Sequence, residues 1–106
     1  MKINKICHYC FNKSYQQGYL YALIQIGNIY YEGNGLFQNY NKSVEYYEIA
    51  AQKGNSFGLN KLGVCYSNGH GVEQNYIKAI EYYERAANLG NSDAKSNLRE
   101  IIDENL

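Results

Sequence analysis

Residues 19–54 and 55–90 of this chain are two copies of one pattern, identical at 16 of 36 positions without a gap. The shared residues include Gly27 with Gly63, Tyr30 with Tyr66, Gln38-Asn39-Tyr40 with Gln74-Asn75-Tyr76, Tyr46-Tyr47 with Tyr82-Tyr83, and Ala50-Ala51 with Ala86-Ala87. A period of this length marks a unit too small to bury its own apolar face, so copies must stack into a continuous core. The same offset takes Gly54 back to Gly18, and Ala22 forward through Gly58 to Ala94. A half repeat (1–18) therefore precedes the complete copies, and a second half repeat with a cap (91–106) follows them. The chain reads as a single domain.

Within each copy the spacing predicts helix, loop, helix. Leu23, Ile26, Gly27 and Tyr30 recur at helical intervals, and Gly33 and Gly35 supply the left-handed backbone that stops a helix. Asn39 and Asn75 stand where a side-chain oxygen caps the next helix. Six helices are expected in an all-α fold, at about 3–17, 20–32, 40–53, 56–68, 76–89 and 92–104. Mid-helix Gly27 and Gly63 each cost about 1 kcal/mol in propensity, a loss expected where a neighbouring helix must come close. Eight of the 13 tyrosines fall at repeat-equivalent positions, which assigns most of them to architecture.

Ten Lys and Arg balance ten Asp and Glu. With no net charge, no long-range field draws in a phosphate backbone or an anionic bilayer, so neither nucleic acid nor a membrane is an expected partner. No stretch approaches the roughly 18 apolar residues of a membrane span. Met1 to His8 lacks the unbroken apolar run of a secretory signal. The expected location is cytoplasmic, and three cysteines, an odd number, do not suggest a disulfide framework there.

The run Gly27-x-x-Tyr30-x-x-Gly33-x-Gly35, then Asn39-Tyr40-x-Lys42, then Tyr46-Tyr47-x-x-Ala50-Ala51-x-x-Gly54, repeated up to Gly90, resembles the Sel-1-like repeat, a relative of the tetratricopeptide repeat. Departures are mild: Asn39 and Asn75 stand where that family usually has Asp, Tyr46 and Tyr82 where it commonly has Trp, and Ser43 and Gly58 where it has Ala. The resemblance implies a short right-handed α-solenoid of antiparallel helix pairs whose first helices line a concave face. It also implies an adaptor that holds a protein or peptide partner without catalysis. By register with the tetratricopeptide pattern, the implied groove stripe is Tyr21, Ile24, Asn28, Tyr31 and Glu32, then Phe57, Asn60, Val64, Ser67 and Asn68. Substituting Asn28, Tyr31 and Asn60 together is expected to weaken partner binding.

The two ends differ. Arg99 replaces the mid-helix glycine, with Glu100, Asp103 and Glu104 on an outer side and Ala94 and Leu98 inward, so the last helix reads as a polar cap. At the other end Ile3, Ile6, Cys10 and Phe11 leave apolar surface, from which weak self-association through the N-terminal helix is expected.

Cys7-His8-Tyr9-Cys10 is the one segment that could carry chemistry, as half of a zinc site or as a dithiol. Only His8, His70 and Cys65 remain to complete four ligands. By register Cys7 replaces Ser43 and Ala79, Cys10 replaces Tyr46 and Tyr82, and Cys65 replaces Ile29, all packing positions. No metal or other cofactor is expected, and a metal- or thiol-dependent module using Cys7 and Cys10 stands as the alternative. Gly33-Asn34-Gly35 and Gly69-His70-Gly71 close a helix, whereas a phosphate loop follows a strand and opens one. His70 is expected to be solvated in its turn, and no catalytic set is evident.

Overall fold

The structure, a computed structural model, describes residues 14–33 and 38–105. Among them the chain forms five helices: α1 (Ser14–Glu32), α2 (Tyr40–Gln52), α3 (Ser56–Asn68), α4 (Tyr76–Asn88) and α5 (Ser92–Asn105). Each packs on the next. The result is an α-solenoid of antiparallel pairs, with α1, α3 and α5 as first helices and α2 and α4 as second helices.

The repeated Gln-Asn-Tyr triplet makes the turn inside each pair. The Asn39 side-chain oxygen accepts from the Lys42 amide at 3.1 Å, and Asn75 does the same for Lys78 at 3.1 Å. Meanwhile the Gln38 amide donates to the Tyr31 carbonyl at 2.8 Å and that of Gln74 to the Ser67 carbonyl at 2.9 Å. One residue thus closes the first helix while its neighbour opens the second.

Between repeats the stop is a left-handed glycine followed by a capping asparagine. Gly54 (φ +81°) precedes Asn55, whose oxygen accepts from the Gly58 amide at 3.0 Å. Gly90 (φ +94°) precedes Asn91, which caps the Ala94 amide at 2.8 Å. Here the expected break between a helix at 3–17 and one at 20–32 is corrected: α1 runs straight through Gly18. The residue after Gly18 is Tyr19, which has no acceptor placed to cap a new helix, so the glycine alone does not break the chain. The rest of the expected 3–17 helix lies outside the described residues.

The core explains the repeated small residues. A Cβ at Gly27 would stand 2.6 Å from a ring carbon of Tyr47, and one at Gly63 would stand 2.5 Å from a ring carbon of Tyr83. Both rings come from the second helix of the same repeat and are almost fully buried. Leu59, Leu62 and Cys65 fill the layer between the two repeats. Cys65 therefore packs as the small apolar residue its register implied. At the equivalent positions on α1, Ile26 and Ile29 are 37% and 40% exposed, against 1% and 0% for Leu62 and Cys65.

The second turn also locks one repeat onto the other. His70 is only half-exposed. Its ring stacks on Tyr40 at 4.2 Å between centroids with 3° between planes, and its Nδ1 shares a 2.7 Å hydrogen bond with the Tyr31 hydroxyl. The expectation of a solvated His70 is corrected, because two tyrosines of the preceding repeat provide an aromatic and a polar partner together.

Candidate functional site

The first helices share one face, and two hollows open along it. The larger, about 680 Å³, lies between α1 and α3 and is bordered by Tyr21, Ile24, Gln25, Asn28, Phe57 and Lys61 among others. The smaller, about 330 Å³, lies between α3, α4 and α5 and is bordered by Val64, Ser67, Asn68, Asn97, Glu100 and Glu104 together with Gln74, Tyr76 and Tyr83 from the turn into α4 and α4 itself, and Ile101. On α3 the bordering residues Phe57, Lys61, Val64 and Asn68 fall at intervals of four, three and four, which is one stripe of a helix. Tyr21, Gln25 and Asn28 on α1 and Asn97, Glu100 and Glu104 on α5 occupy the same registers.

Seven of the ten residues in the expected stripe border these hollows: Tyr21, Ile24, Asn28 and Phe57 the larger, Val64, Ser67 and Asn68 the smaller. Tyr31, Glu32 and Asn60 border neither. Tyr21 and Phe57, at equivalent positions, are 64% and 55% exposed and present the groove's apolar surface.

Asn28, Tyr31 and Asn60 also make hydrogen bonds within the chain. Asn28 accepts a 2.5 Å hydrogen bond from the buried Tyr47 hydroxyl. Asn60 is 6% exposed and accepts from the Asn97 side-chain amide at 3.0 Å, tying α3 to α5. Tyr31 is held by His70. Ile24, at the register of Asn60, is 5% exposed and forms the floor of the larger hollow. Gln25 and Lys61, one residue on from Ile24 and Asn60, also border the larger hollow. Their spacing four after Tyr21 and Phe57 was the available signal.

The two copies also differ around the buried tyrosine. Where Asn28 accepts from Tyr47, the equivalent Val64 offers no acceptor, and Ser67, at the register of Tyr31, lowers the Tyr83 pKa against the larger effect of burial.

Cys7 and Cys10 lie outside the described residues. Of their candidate helpers, His70 is enclosed by tyrosines and Cys65 is wholly buried, its thiol pushed up to about 12 by burial against a smaller lowering by Lys61. Among the described residues no three His, Cys, Asp or Glu side chains gather into a metal-binding group, and no helix is long and apolar enough to cross a membrane.

The profile of the Sel1 repeat matches residues 20–55 and 56–91. The chain superposes on a Sel1 repeat protein from Oxalobacter formigenes with a TM-score of 0.72 and 25% identity, covering 92% of this chain and 40% of that one. It also superposes on a protective antigen of uropathogenic Escherichia coli strains that displays an SLR fold, with a TM-score of 0.77 and 31% identity, covering 91% of this chain and 21% of that one. The chain thus spans less than half the length of either structure. No curated protein sequence matches it.

Proposed function

The chain belongs to the Sel1 repeat family, and on that premise we propose that it is a non-catalytic adaptor holding a segment of a partner protein in the groove of its first helices. Repeats of this family are protein–protein interaction modules. The observation that carries the reading is the pair Tyr21 and Phe57, each more than half exposed and both bordering one hollow of about 680 Å³. Single exposed aromatics are ordinary, but two bordering one concavity make a patch that a partner's side chain can fill. The balanced charge of the chain and the odd number of thiols support a protein partner in the cytoplasm, with nucleic acid and membranes left aside.

A peptide library displayed on phage tests this directly. Peptides enriched on the native protein are expected to lose at least about thirtyfold in affinity for the Tyr21→Ala/Phe57→Ala variant, the size of a hot-spot loss. Thermal melting is expected to stay within a few degrees of native, because both side chains stand in solvent. Equal binding by the variant would overturn the groove as the site.

A second, weaker contact is part of the proposal. The residues from which self-association was expected, Ile3, Ile6, Cys10 and Phe11, lie outside the described residues, but Ile26 and Ile29 supply exposed apolar surface on the first complete repeat. Sedimentation at increasing concentration is expected to show a mass rising above the monomer, and Ile26→Lys/Ile29→Lys is expected to abolish the rise. A concentration-independent monomer would remove this contact.

A further inference from the structure

Following the groove registers along the solenoid locates acidic side chains that the balanced net charge conceals, two of them on the last helix. One register carries Asn28, Val64 and Glu100 in turn, and another carries Glu32, Asn68 and Glu104. The bases of the last helix take other registers: Lys95 stands where Leu59 does and Arg99 where Gly63 does, on the stacking side rather than in the groove. The charges of α5 are therefore sorted by face. A cap made only for solubility has no need of that, and Glu100 and Glu104, expected on an outer side, border the smaller hollow instead.

Helix direction adds to the effect. Because α1, α3 and α5 run parallel, their C-terminal ends lie along one edge of the face, and those of α3 and α5 stand at the smaller hollow. None of the three has a basic residue in its last turn. The partial negative charge of the α3 and α5 ends meets no basic residue of its own last turn, and Glu104 in the last turn of α5 adds to it against the preference of the helix. No Lys, Arg or His borders this hollow. The larger hollow has the opposite character: Tyr21, Phe57 and Ile24 provide apolar surface, and Lys61 stands at its border.

We infer that the occupant of this groove is a peptide segment with an apolar or aromatic anchor for the Tyr21–Phe57 hollow and a Lys or Arg for the Glu100–Glu104 hollow. This rests on the groove reading above and adds the chemistry of the partner to it. The spacing follows from the scaffold. Phe57 and the Val64 to Asn68 segment lie roughly 15 Å apart along α3, a distance an extended peptide covers in about five residues. Apolar contact supplies most of the affinity, and the charge pair fixes which way round the segment lies.

The test uses the library-selected peptides and the full-length protein. Enriched sequences are expected to share an apolar residue and a Lys or Arg about five positions away. Glu100→Gln/Glu104→Gln is expected to weaken a consensus peptide about tenfold, to flatten its salt dependence, and to leave melting unchanged or slightly raised. Replacing the peptide's basic residue by Gln is then expected to weaken binding to the native protein but not to the variant, the non-additivity of a direct contact. Peptides that depend on Tyr21 and Phe57 but show no basic preference, or bind the glutamine variant equally well, would overturn this inference and leave the groove reading standing. Peptides indifferent to Tyr21 and Phe57 would overturn both.

Discussion

Gly71→Ala is expected to destabilise the protein by about 3 kcal/mol, more than any other single methyl group in the turns. Two costs combine at this residue. Its φ of +80° is left-handed, which an alanine adopts at a cost of about 1–2 kcal/mol. In addition, the new Cβ would stand 2.5 Å from the Tyr40 carbonyl oxygen and 2.9 Å from Val44 Cγ2, because this turn rests on the start of α2 in the preceding repeat. Neither neighbour can yield without moving the His70–Tyr40 stack, and overpacking of this kind costs about 1–3 kcal/mol. Against a total stability of about 5–15 kcal/mol, the melting temperature should fall by roughly 10–20 °C. Gly54→Ala is the control, since its φ is also positive, at +81°, but its Cβ would meet nothing within 4 Å. Circular-dichroism melts should place Gly54→Ala well above Gly71→Ala. Equal melting would mean that the turn does not bear on α2 and that the two repeats are joined by their helices alone.

The comparison bears on how much of the molecule its sequence discloses. Features that recur with the period were legible, because the repeat supplies its own control. Gly27 and Gly63 implied a close neighbour, and Tyr47 and Tyr83 are those neighbours. Asn39 and Asn75 implied caps, and both accept the amide three residues on. Features that break the period were harder to read. Gly18 imitates Gly54, yet a stop also needs the following asparagine, and Tyr19 is not one. Asn60 carries the polarity of a surface residue, but its partner Asn97 lies 37 positions away and belongs to a helix whose approach no local pattern reveals. Adjacent positions on a helix differ by about 100°. A register anchored on one glycine could therefore not distinguish Ile24 from Gln25 or Asn60 from Lys61. Glu100 and Glu104 looked like the solvated side of a cap because their groove neighbours, Val64, Ser67 and Asn68, sit a full repeat upstream.

Alkaline unfolding is the second large effect expected, and it arises from the same buried layer. Cys65 is fully buried, with its thiol raised from 9.0 to about 12, mainly by burial and despite the nearby Lys61 ammonium. Tyr83 is 4% exposed and raised from 10.0 to about 12, again by burial first, with Ser67 pulling in the other direction. Tyr47 is fully buried and also raised, through burial and then the negative charge Cys65 would carry. In each case the folded state retains a proton that the unfolded chain releases at the ordinary value. Native protein therefore binds more protons between about pH 9 and pH 12, and stability falls as pH rises through that window while remaining level below it. Each group steepens the fall by about 1.4 kcal/mol per pH unit once its ordinary value is passed. Urea unfolding measured at intervals from pH 8 to 11 should show this loss. Tyr83→Phe should lose stability less steeply with pH, by about one proton's worth. A profile flat to pH 11, or an identical slope in the variant, would mean that these side chains reach water in solution. The packing of Tyr47 on Gly27 and of Tyr83 on Gly63, on which the stacking of the repeats depends, would then have to be looser than the structure describes.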